Sequence, residues 1–198
     1  MRWQPYAIRI THYFLESSPR SAVHTTDPLP KAVPSSQFHA AMETTQERTT
    51  YEQERDKPLP SLNHGFLQAI ITGELLRYRE KYTPFSELTL QIDDLHVTPD
   101  LCVYPKMEMN FQEDVVRMTE PPLITVEILS PTQSQQDVMD RINDMLDAGV
   151  KSCWLVQPVT ETITMFTGDE KPTTVSTGTL RDPVTDIEVD LADIFEEG

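Results

Sequence analysis

The chain has 198 residues, with 16 Lys plus Arg against 32 Asp plus Glu, 16 Pro, 6 Gly and 2 Cys. At roughly 100–200 residues per domain this is one domain with a tail, and no run approaches the roughly 18 apolar residues that a membrane-spanning helix needs. Two cysteines exclude a disulfide scaffold and a cysteine zinc site, and a net charge of −16 opposes capture of nucleic acid by a general basic surface, which takes clustered Lys and Arg.

Residues 1–50 differ in kind from the rest. They hold 12 Ser or Thr and 5 Pro, with 5 basic against 4 acidic residues, so the remaining 148 carry 11 basic against 28 acidic, a net of −17. This composition predicts a disordered or extended tail followed by a folded domain over 51–198. The run YAIRITHYFL is broken by Arg9 and His12 and lacks the apolar core of a secretion signal. Cys102 and Cys153 sit within apolar runs, as small buried hydrophobes do, and suit a reducing cytoplasm.

From Tyr51 the pattern is regular. Pro58 and Pro60 break the chain, and Ser61 or Asn63 can cap a helix from about Leu62 to Lys81. On a 100° wheel His64, Leu67, Gln68, Ile71, Leu75 and Tyr78 share one face. After Pro84, FSELTLQI alternates as a half-buried strand, DDL turns, and HVTPDLCVYP forms a second strand paired with it as a hairpin. Residues 105–121 have no strict period and read as a loop.

LITVEIL, 123–129, is apolar almost throughout and marks a strand buried on both faces. A helix follows from about Ser134 to Ala148, with Val138, Ile142, Met145 and Leu146 on its core face and Gly149 as its stop. SCWLVQP, ETITMFTG and TTVSTGT are further strands, and DIEVDLADIF closes the fold. The β-helix-β passage requires a parallel pair. The class is α/β or α+β, a mixed sheet of six to eight strands flanked by helices.

Glu127 stands in the middle of LITVEIL, where a carboxylate without a partner costs several kcal/mol to bury. It is either paired with a buried Arg or placed at an edge, or it is a metal ligand or general base. Asp100, set by Pro99 at the start of the strand LCVY, can converge with it on one divalent cation if the strands are neighbours. Magnesium suits such a pair because it takes few carboxylates and keeps waters and phosphate oxygens.

TPDLCVYP, EPPLITVEILSPTQS, the helix ending in AGV, KSCWLVQP, the YEQERDKPLPSLNH segment and the closing DL-x-x-IF together resemble the Uma-type restriction endonuclease family, a branch of the PD-(D/E)xK nucleases. The resemblance spans roughly 51–195. It implies a restriction-endonuclease-like mixed β-sheet flanked by helices, with Asp100 and Glu127 matching the acidic metal ligands. It further implies hydrolysis of DNA phosphodiesters with Mg2+, or Mn2+ in its place.

The superfamily lysine two residues after the Glu is Leu129 here. The family instead supplies its basic residue from the next helix, at the position of Arg141, at the rim of that helix's apolar stripe. A tyrosine one turn further on is replaced by Met145. His64 matches the family's helix-start histidine. Glu52, Glu54 and Glu74 are further acidic candidates, and Lys151 a further basic one. A solvated Arg141 paired with Asp137, Asp140 or Asp144 is the plainer alternative for that side chain. Leu129, Arg141 and the acidity also suit a catalytically inert interaction module, and the acidity suits a hydrolase of small phosphorylated compounds. A single-strand-cutting site used twice suits a homodimer.

Overall fold

The computed structural model describes residues 59–168 and 170–196. The expected tail, Glu52 and Glu54 lie outside them. Helix α1, Leu62–Leu76, starts where Ser61 accepts the His64 backbone N–H, and it buries His64, Leu67, Ile71 and Leu75. It ends five residues earlier than its periodicity predicts. RYREKY has little apolar surface to bury, and Tyr78 turns its hydroxyl to the main chain of Glu188, donating to the carbonyl at 2.8 Å and accepting from the N–H at 2.9 Å.

Strands β1 (Tyr82–Ser86), β2 (Thr89–Ile92), β3 (Leu95–Val97), β4 (Leu101–Pro105), β5 (Arg117–Met118) and β6 (Ile124–Ile128) precede helix α2 (Gln135–Asp147). Then come β7 (Ser152–Gln157), β8 (Thr162–Phe166), β9 (Thr173–Val175), β10 (Thr179–Arg181), β11 (Glu188–Asp190) and the short helix α3 (Leu191–Phe195). The main sheet has six strands in the order β1-β4-β6-β7-β8-β9, with β6 and β7 parallel and its other pairs antiparallel. β3-β2-β5 and β10-β11 form two smaller sheets.

The expected hairpin is present but divided between two sheets. FSELTLQI divides at Glu87, whose φ of 54° turns the backbone out of the strand, so β1 joins the main sheet and β2 the small one. HVTPDLCVYP divides the same way around Pro99, into β3 and β4. The hairpin expected from the DDL turn holds on both sides of the break: β2 pairs with β3, and β1 pairs with β4 in the same register. The stretch read as a loop contributes β5, two residues pairing parallel with β2.

Alternation along the strands splits the core into two layers. Leu101, Val103, Val126, Ile128, Trp154 and Val156 pack with Leu67, Ile71 and Leu75 of α1 and with α3 and the β10–β11 hairpin. Cys102, Tyr104, Cys153 and Leu155 pack with Val138, Ile142 and Met145 of α2 and with β2 and β3. β6 is buried along its whole length, as its apolar run requires. Gly149 follows α2 with φ 101°, the left-handed stop its position predicts.

Candidate active site

The antiparallel register pairs Leu101 with Val126; Asp100 directly precedes the one and Glu127 directly follows the other, so both acids lie at the same end of the β4–β6 ladder. Both are buried, at 1% and 2% exposure. Two like charges so placed are unfavourable unless other groups offset them.

Four contacts from three parts of the fold hold Asp100. Its Oδ2 accepts the N–H of Ile128 at 2.7 Å and lies 3.1 Å from His64 Nε2. Its carbonyl accepts from Gln68 Nε2 at 3.2 Å and from the Glu87 N–H at 3.1 Å. His64 and Gln68 are one turn apart on α1, so the helix grips both the carboxylate and the main chain of one residue.

Glu127 is met from the other layer. Arg141 Nη1 lies 3.6 Å from Glu127 Oε2, an ion-pair distance longer than a hydrogen bond, with the guanidinium only 11% exposed. Arg141 therefore reaches back toward β6. Leu129 and Met145 pack in the layer beneath α2.

The remaining candidates stand apart. Glu74 is paired with Arg77 at 2.6 Å, and Lys151 is exposed before β7. Two residues not given a role from the sequence, Gln68 and Glu87, touch the main chain of Asp100, and a third, Gln157, lies on the strand next to Glu127. Gln68 was visible as a polar residue in an apolar stripe. Glu87 pairs across from Asp100 one step beyond the Ser86–Leu101 register. Gln157 ends β7 on the same face as Glu127, two residues past Leu155, and accepts from Thr162 Oγ1 through its side-chain oxygen. Neither Glu87 nor Gln157 carries a signal of its own in the sequence.

No group of three or more His, Cys, Asp or Glu is gathered into a cage among the described residues. Two buried carboxylates at one end of a strand pair nevertheless fit a hard cation that retains several waters, and fit poorly a soft or fully caged metal.

A family model described as Uma2, putative restriction endonuclease, matches residues 36–192. The chain belongs to the Uma2 family. Among solved structures, a putative nuclease belonging to DUF820 from Anabaena variabilis ATCC 29413 is similar in fold, with a TM-score of 0.59 and 24% identity over 70% of this chain and 83% of that one. No curated protein matches. The Uma2 family description and the nuclease-like fold agree with the endonuclease resemblance carried by the PD and VEILSP segments. Among the described residues no helix is long and apolar enough to cross a membrane.

Proposed function

We propose that this Uma2 protein is an endonuclease that hydrolyses DNA phosphodiesters with Mg2+ or Mn2+ held by Asp100 and Glu127. The observation that supports it is the placement of these two buried carboxylates at the same end of neighbouring strands, tied together through the Ile128 N–H. When bound, the cation supplies Lewis-acid stabilisation of the phosphate and a more acidic water.

The chain's own residues do the rest. His64 and Gln68 keep Asp100 in place and exclude alternative rotamers. Arg141 neutralises Glu127 in the resting protein and offers the nearest guanidinium to a phosphate oxygen. A guanidinium at this position would clamp a phosphate by its planar fork of donors. Two free buried thiols suit a reducing cytoplasm.

A second reading, an inert interaction module, is favoured by the same Arg141–Glu127 pair, which already compensates one acid, and by Leu129 in place of a lysine. Cleavage assays with plasmid and single-stranded DNA, in Mg2+ or Mn2+ at low salt, separate the two. Metal-dependent cleavage lost in both Asp100→Asn and Glu127→Gln supports the enzyme. No cleavage by the wild type overturns it. Turnover of a small phosphodiester without DNA cleavage would reassign the substrate to small phosphorylated compounds.

A further inference from the structure

Helix α1 is apolar on both sides, although only one side meets the core. Its outward arc carries Leu62, Gly65, Phe66, Ala69, Gly73 and Leu76, all within about 100° on the helical wheel. Leu62 is 88% exposed, Phe66 56% and Leu76 47%, and Leu59 just before the helix is 53% exposed. A helix that is hydrophobic all round is ordinarily buried all round.

The two glycines sharpen the anomaly. Neither Gly65 nor Gly73 has a left-handed backbone, and a Cβ added at either meets nothing within 4 Å. Glycine in a helix interior is less favourable than alanine, and nothing inside the described protomer requires it here. Close approach of another backbone is what such positions serve.

We infer that this face of α1 is the surface through which two copies of the chain pair, helix against helix about a two-fold axis. The face is complementary to itself: Gly65, Ala69 and Gly73 form a groove, and Leu62, Phe66 and Leu76 form the ridge that fills it. An isologous contact needs both parts on one surface. Small residues at the crossing allow an interaxial distance near the low end of about 8–10 Å.

Area and charge favour the same occupant. The four large side chains expose on the order of 500 Å² of apolar surface, and the small residues and polar rim bring each copy toward the roughly 800 Å² per partner of a standard interface. No Asp, Glu, Lys or Arg occurs from Leu62 to Gly73, so the face offers nothing to a basic protein or to a phosphate backbone. The salt-bridged Glu74 and Arg77 mark its end.

Sedimentation equilibrium of the full chain tests this. The wild type is expected to dimerise with concentration, and more tightly at 0.5 M than at 0.1 M salt, since each copy carries a net charge of −16 that salt screens. Ala69→Glu is expected to weaken the dimer at least about tenfold with an unchanged circular dichroism spectrum. Gly73→Ala is the sharper variant: it is expected to raise the thermal midpoint of the dilute protein through helix propensity while weakening the dimer. A wild type that stays monomeric, as it would if residues 1–58 of the same chain covered α1, overturns the inference. So does a dimer that both substitutions leave untouched.

Discussion

The Asp100 carboxylate accepts the main-chain N–H of Ile128, the residue after Glu127, at 2.7 Å. That one bond fixes the two acids relative to each other through the backbone. Glu127 can therefore be altered without releasing Asp100, and each acid's contribution can be measured separately.

Asp100→Asn and Glu127→Gln keep shape and remove charge. Each is expected to lower the single-turnover rate of metal-dependent cleavage by on the order of 1,000-fold, because Lewis-acid stabilisation contributes several kcal/mol. Calorimetric titration with Mn2+ should show the matching loss of binding.

Arg141→Met should have effects of opposite sign on the two functions. Removing the cation 3.6 Å from Glu127 is expected to tighten Mn2+ binding several-fold, while cleavage falls at least tenfold. Arg141→Lys restores the charge but not the planar fork and should fall between. A purely structural arginine would leave Mn2+ affinity unchanged, as titration would reveal.

Gln68→Ala removes a donor to the Asp100 carbonyl, which keeps its bond from Glu87. The expected cost is about 1 kcal/mol in urea unfolding, with roughly a tenfold loss in kcat and little change in KM. A rise in KM with kcat unchanged would place Gln68 in substrate binding instead.

Burial pushes the thiols of Cys102 and Cys153 from 9.0 up to about 12. Both stay protonated in the folded chain while an unfolded thiol ionises near 9.0. The stability they contribute is therefore complete below pH 9 and is lost as pH rises toward 12. Thermal midpoints measured across that range should decline, and native protein at pH 8 should react with a thiol reagent far more slowly than protein in urea.

Asp182 is buried, accepting Trp154 Nε1 at 2.9 Å through Oδ2 and Val184 and Thr185 N–H groups at 3.0 and 2.8 Å through Oδ1. Asp182→Ala strands an indole donor in the core and unties the turn before β11. Denaturant unfolding should show a loss of about 2–4 kcal/mol.

Much of this fold was legible because its signals are local. Ser61 and Ser134 cap helices, Gly149 stops one, and the uninterrupted LITVEI run becomes the strand at the centre of the sheet. The division of two apparent strands between two sheets was not legible. The first break falls at Glu87, a residue type that gives no warning of a left-handed backbone, and the second falls around Pro99. The neighbourhood of the strands that carry Asp100 and Glu127 was legible only as a conditional, which the β4–β6 pairing meets. Arg141's direction was open on the helical wheel, where a rim position faces either solvent or sheet, and its ion-pair contact with Glu127 depends on tertiary packing that the wheel does not contain. Gln68 lay in plain sight, but a glutamine in an apolar stripe has no partner that spacing alone can name.

The bonds on Asp100 have a kinetic side. Its partners Gln68 and Ile128 are 32 and 28 residues away along the chain, in elements that pack on different neighbours. No hairpin or helix carries the carboxylate's geometry by itself, and non-local contacts of this kind form only after chain entropy has been spent on bringing distant segments together. The acidic pair is thus assembled by tertiary closure, and a nascent chain that stops short of β6 holds its aspartate without the frame that orients it.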